Sequence, residues 1–142
     1  MKYILSLIVI AAINFGTQAQ EQAIELTTAP TPGPYISFSE MSFDFGEIIQ
    51  GDRVEHVFEF TNTGDSPIII SNVKTTCGCT ASSWPREPIA IGESSKIKVN
   101  FNSSGKIGHQ NKVITIMSNA TNNPERIKIV TNTIPKESTE GK

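Results

Sequence analysis

Cys77 and Cys79 are the two cysteines of this 142-residue chain, separated by Gly78 in the run Thr76-Cys77-Gly78-Cys79-Thr80. Outside a reducing compartment, thiols this close have three chemistries open to them. They close into a disulfide, exchange disulfides with other thiols, or hold a soft metal ion. A direct bridge needs the two Cα atoms within ~4.4–6.8 Å, whereas two residues of extended strand span about 6.6–7 Å. The chain must therefore turn at Gly78, and glycine turns without steric cost. A ring this small constrains the unfolded chain little, so the bond adds little stability and is easily reduced. Thr76 and Thr80 flank the pair and shape the loop. Lys74 is the nearby cation that would favour a thiolate. The spacing is not the Cys-x-x-Cys that opens a thioredoxin-like helix.

As a metal site, the two thiolates would hold Cu(I) or supply half of a zinc tetrahedron. His109 is the third ligand considered, with His56 and Met117 behind it. His56 shares the apolar face of its segment, which suits a hydrogen-bonded core histidine. His109 falls in the glycine-flanked stretch Gly105–Asn111, read as a solvent-facing loop. Other chemistry finds no support: there is no GxSxG nucleophile elbow, no glycine-rich phosphate loop ahead of a helix, and Glu87 and Glu93 read as solvated loop charge. No enzyme activity and no cofactor are expected.

The elements that must position this loop are strands. In Val54-Glu55-His56-Val57-Phe58-Glu59-Phe60 and Lys96-Ile97-Lys98-Val99-Asn100-Phe101, apolar and polar residues alternate with a period of two, the mark of a sheet buried on one face. Pro67–Val73, Lys112–Met117 and Arg126–Val130 are β-branched runs of the same kind. Phe38 and Phe43-Asp44-Phe45 supply a broken first strand, and the cysteine pair follows the strand beginning near Ile68. Turn clusters at Thr63–Pro67, Ile91–Ser94, Ser103–Gly108 and Asn119–Pro124 punctuate these runs. Seven or eight short strands with no long helical period predict an immunoglobulin-like, two-sheet antiparallel β-sandwich. Trp84, the sole tryptophan, is read as packing.

The ends have other purposes. Residues 1–19 read as a signal peptide: a positive start at Lys2, the apolar run Ile4–Ile13, and small residues up to Ala19. That run is short of the roughly 20 apolar residues a membrane span needs, and no cysteine near the cleavage point offers a lipidation site. Residues 20–34, with Pro30, Pro32 and Pro34, form a linker; 35–134 hold the domain; 135–142 form a disordered tail. The mature chain of about 123 residues carries a net charge of about −3 after loss of Lys2. A mildly acidic chain without a basic run points away from nucleic acid and from stable membrane insertion.

Phe43-Asp44-Phe45-Gly46-Glu47-Ile48, Val57-Phe58-Glu59-Phe60-Thr61-Asn62-Thr63-Gly64, Thr76-Cys77-Gly78-Cys79-Thr80, Ile91-Gly92-Glu93 and Ser118-Asn119 together resemble one secreted bacterial family, the domain of unknown function fifteen seventy-three. The resemblance runs from Phe43 to about Thr131. It departs at Ile91, where the family commonly carries proline, a change that bears on turn rigidity. It implies an immunoglobulin-like fold shared with Hydin-like and major-sperm-protein-like modules, which mostly act in non-catalytic interactions, and it implies no reaction. The expectation is an exported module, periplasmic or secreted, whose partner is another envelope or secreted protein, met by edge-strand pairing or loop contact.

Overall fold

A computed structural model describes residues 32–137; the expected signal peptide, most of the expected linker and the last five residues of the expected tail lie outside the described residues. The chain forms eight strands: β1 Ile36–Phe38, β2 Ser42–Ile49, β3 Arg53–Asn62, β4 Ile70–Thr75, β5 Cys79–Ser83, β6 Ser94–Asn102, β7 Gly108–Ser118 and β8 Glu125–Ile134. They build two four-stranded sheets, ordered β1-β3-β6-β5 and β2-β8-β7-β4. Among the described residues no helix is long and apolar enough to cross a membrane.

The period-two pattern works as expected. Phe58 and Phe60 of β3 meet Ile97, Val99 and Phe101 of β6, and all five are at most 1% exposed. Ile114 and Ile116 of β7 and Ile127 and Ile129 of β8 close the core from the other sheet. Two inner faces of branched and aromatic side chains interdigitating in this way make an immunoglobulin-like β-sandwich. Trp84 is half-buried against the same core, with the Arg86 guanidinium 3.8 Å over its ring.

One pairing departs from the antiparallel rule. The broken first strand divides at Ser39–Met41: β1 pairs antiparallel with β3, while β2 crosses to the other sheet and runs parallel to β8. The chain before β1 is also fastened, since the Gly33 carbonyl accepts the Asp65 N–H (3.0 Å) and the Pro34 carbonyl accepts the Thr121 N–H (2.8 Å).

Two buried polar residues hold opposite ends of the sandwich. Asn62 is fully buried and fully used: its amide donates to the carbonyls of Ser66 (2.8 Å) and Ile89 (3.0 Å), and its oxygen accepts the Gly64 N–H (3.0 Å). At the other end the Ser103 hydroxyl lies 2.9 Å from the carbonyls of Ile49 and Asp52, and its N–H donates to Asp52 as well. That residue ties the β2–β3 turn to the β6–β7 loop, beside the cysteine turn.

Three local expectations are corrected. Pro67–Val73 is not one strand: Ile68 makes an isolated bridge to Ile89, and β4 begins only at Ile70. Cys79 does not trail the strand begun near Ile68 but opens β5, in the opposite sheet. His109 is not in a loop: β7 starts at Gly108, and His109 pairs with Asn132 of β8. Cross-strand pairing there outweighs the turn signal of the glycines.

Candidate functional site: the Cys77–Cys79 turn

The chain passes from one sheet to the other in four residues, Thr76 to Cys79. The Cys79 N–H donates to the Thr76 carbonyl at 3.2 Å, and Gly78 has φ of +91° while Cys77 keeps a negative φ. This is the pattern of a type II turn, which places glycine third. The Gly78 carbonyl accepts the Asn102 N–H (3.0 Å). A Cβ at Gly78 would stand 3.2 Å from Phe101 Cε2 and 3.3 Å from Lys106 Cε. Glycine is thus required twice, by conformation and by space.

The threonines before the turn lock it. Thr75 Oγ1 donates to the Cys79 carbonyl (2.9 Å). The Thr76 N–H reaches the Val113 carbonyl, and Thr76 Oγ1 accepts the Val113 N–H, both at 3.2 Å. Thr80, expected to shape the same loop, instead faces outward from β5 opposite Asn100, lining a shallow groove with Arg53, Glu55 and Asn102. Thr75 is the residue the sequence reading missed; a hydroxyl four residues before Cys79 was its only signal.

The two thiols occupy different environments. Cys77, at the corner of the turn, is exposed; Cys79 is half-buried against the core, opposite Phe101. Both are free thiols, so the bridge that the spacing allows is not formed in this structure. Burial pushes the Cys79 thiol up from 9.0 to about 11, and the Lys112 ammonium opposes that shift. Lys112, on the inward parity of β7 with Ile114 and Ile116, is the cation that acts on Cys79, rather than Lys74.

The histidines stand elsewhere. Thr76 meets β7 at Val113, so His109, four residues further along the strand, lies about 13 Å from the turn at ~3.3 Å per residue. Met117 lies equally far in the other direction. Among the described residues no group of three or more His, Cys, Asp or Glu side chains comes together to hold a metal ion. His56 points inward, stacked on Phe43 with centroids 3.6 Å apart and edge-on to Phe58 at 4.8 Å, and it hydrogen-bonds Glu40 at 2.5 Å. It is the hydrogen-bonded, inward-facing histidine the alternation implied, half-buried at the margin of the core.

The sheet edges, the other expected contact surface, are blunted. On β1 the Asn122 side chain takes both edge groups of Ile36, accepting its N–H (3.2 Å) and donating to its carbonyl (2.8 Å). On β2 a bulge between Asp44 and Glu47 interrupts the edge, with the Gly46 N–H turned back onto Asp44 Oδ1 (2.8 Å). Bulges also break β4 after Ile70 and β5 after Ala81, and the turn itself consumes the edge N–H and C=O of Cys79. Such devices keep an edge from accepting another strand.

The end beside the turn differs. Ile49 and Ile134 are register partners on β2 and β8, 45% and 37% exposed, and they line a groove with Gln50, Gly51, Asp52 and Pro135. Ile107, in the β6–β7 loop at the same end, is 55% exposed.

Residues 36–133 match the family model for the protein of unknown function (DUF1573), and the chain belongs to that family. Its fold is similar to that of a protein of unknown function from Porphyromonas gingivalis W83, with a TM-score of 0.61 and 22% identity over 75% of this chain and 51% of that one. It is similar also to the ASH / PapD-like domain 7 of human CEP192 (TM-score 0.59, 12% identity, 81% of this chain and 98% of that one). A third likeness is to the secreted serine protease VesC from Vibrio cholerae (TM-score 0.56, 17% identity, 70% of this chain and 23% of that one). The chain thus spans about half of the Porphyromonas protein and under a quarter of the protease. At these identities the likeness is one of fold, and fold does not carry function. Among curated proteins none matches this sequence.

Proposed function

We propose that this chain is an exported, non-catalytic module that binds another envelope or secreted protein through the end of the sandwich formed by the β2–β3 turn, the β6–β7 loop and the start of the tail. The observation that carries this reading is the contrast between blunted edges and the apolar pair Ile49 and Ile134 left side by side at that end. Strand addition needs a free row of N–H and C=O groups, and bulges or side chains interrupt that row on each edge strand. An apolar side chain of the partner, seated between Ile49 and Ile134, would bury area that water now covers. Export is supported by the leader-like residues 1–19. The non-catalytic part is supported by the separation of His56 and His109 from the thiols.

A photo-crosslinking residue placed in turn at Ile49, Ile134, Ser37, Lys74 and Thr80, in the native host envelope, tests the assignment. A discrete adduct from Ile49 and Ile134, lost when Ile134→Asp is added to the Ile49 probe, is the expected result. Adducts from Ser37, Lys74 or Thr80 instead would show strand addition and overturn it.

A further inference from the structure

A type II turn already bends the chain at Gly78, as a bridge between residues two apart requires. The turn presents one thiol to solvent and keeps the other behind it. Cys77 can meet a disulfide on a small molecule or on another protein; Cys79, half-buried and held by bonds to both its N–H and its C=O, has Cys77 as its accessible sulfur neighbour in sequence. We propose that Cys77 and Cys79 form an asymmetric thiol–disulfide exchange pair, in which Cys77 captures a disulfide and Cys79 resolves the adduct. The inference is independent of whether the neighbouring end binds a partner.

The chemistry balances in two steps. The Cys77 thiolate attacks an exogenous disulfide R–S–S–R, forming Cys77–S–S–R and expelling one R–S⁻, which takes up the proton that Cys77 lost. The Cys79 thiolate then attacks Cys77 Sγ, forming the Cys77–Cys79 bond and expelling the second R–S⁻, which takes up the proton from Cys79. Two protein thiols are oxidised, and one disulfide is reduced to two thiols. The second step is the slow one. Cys79 must leave its contact with the core, and burial keeps it protonated, while the Lys112 ammonium favours the thiolate once formed. The closed ring is small and adds little stability, so an excess of small thiol reopens it.

The test uses the full mature chain, reduced, with glutathione disulfide as the probe, quenched by alkylation and read as intact mass over time. Wild type is expected to pass through a single glutathionyl adduct and then lose that group, ending two hydrogens lighter than the reduced protein. Cys79→Ser is expected to stop at the adduct, and Cys77→Ser to form an adduct more slowly than wild type, since a buried thiol in apolar surroundings reacts poorly. Wild type that stays at the adduct, or Cys77→Ser that forms one as fast as wild type, would overturn the proposal. The wild-type time course decides the matter without reference to how either variant folds.

Discussion

Replacing Gly78 by alanine separates the two demands the turn makes on that residue. The first is conformational: φ of +91° costs a residue with a Cβ about 1–2 kcal/mol. The second is packing. The added Cβ would meet Phe101 Cε2 at 3.2 Å and Lys106 Cε at 3.3 Å. Lys106 ends a flexible stem and can move. The Phe101 ring is 1% exposed and wedged among Val99, Phe58 and the rest of the core, so relieving that contact adds roughly 1 kcal/mol of overpacking. The total is about 2–3 kcal/mol. Gly105→Ala supplies the control, because Gly105 has φ of +70° and nothing within 4 Å of its Cβ position; it should lose only the conformational part. In a domain of this size each kcal/mol lowers Tm by roughly 4–8 °C, so Gly78→Ala should melt about 10–20 °C below wild type and clearly below Gly105→Ala. Thermal unfolding of the reduced proteins gives both numbers. Equal losses in the two variants would mean that the turn slides away from Phe101 and that Cys77 and Cys79 are not held as described.

Two further outcomes follow from the same geometry. Because the folded state holds the Cys79 proton up to about 11 while the unfolded thiol releases it near 9.0, the unfolded chain binds fewer protons between those values. Stability contributed by this group is therefore intact below pH ~9 and falls as pH rises toward ~11, by about 3 kcal/mol at most and by roughly 1–2 kcal/mol once solvent screening of a half-buried group is allowed for; urea unfolding at both ends of that window should show the fall in wild type and lose this part of it in Cys79→Ala. Asn122→Ala removes both bonds to Ile36 and should cost about 1–2 kcal/mol while opening the β1 edge. Sedimentation should then detect self-association beyond that of the wild type, and a variant that sediments as the wild type does, with an unchanged Tm, would show that Asn122 does not guard the edge.

The elements carrying strong alternation were legible in the sequence, and those shaped by their neighbours were not. Phe58, Phe60, Ile97, Val99 and Phe101 announce two paired strands because each buries a large apolar group on one face. Strand β5 had no such signal: Thr80-Ala81-Ser82-Ser83 is small and mostly polar, and the run is extended because β6 pairs with it and the turn at Gly78 delivers it there. The start of β7 was hidden for the opposite reason. Gly105 and Gly108 advertise a turn, yet pairing with Asn132 and Thr133 carries the strand through His109 to Gly108. The cation acting on Cys79 was within reach of parity alone, since Lys112 shares the inward phase of Ile114 and Ile116; nearness in sequence favoured Lys74. Sheet membership was the deeper gap. Alternation tells which face of a strand is buried, not which sheet the strand joins, so the placing of Cys77 at the crossover between sheets came only from the fold.

That placement explains why one short turn combines a locked backbone with an unprotected thiol. A crossover from one sheet to the other must satisfy the N–H and C=O groups that neither sheet can take, and here the Val113 carbonyl, the Thr75 hydroxyl, the Thr76 carbonyl and the Asn102 N–H do so. Once the backbone is satisfied, the side chain at the second turn position has no structural task. A serine or alanine at position 77 would fit the turn, because a type II turn places its requirement for positive φ on the third residue and not on the second. The next side chain to face the core, at position 79, needs only to be small and moderately apolar opposite Phe101, which alanine would meet. Neither cysteine is demanded by the fold, while the glycine between them is demanded twice. Residues that a fold does not require, held in register by one that it does, are where chemistry is expected, and the exchange between Cys77 and Cys79 is the chemistry that this pair of environments supports.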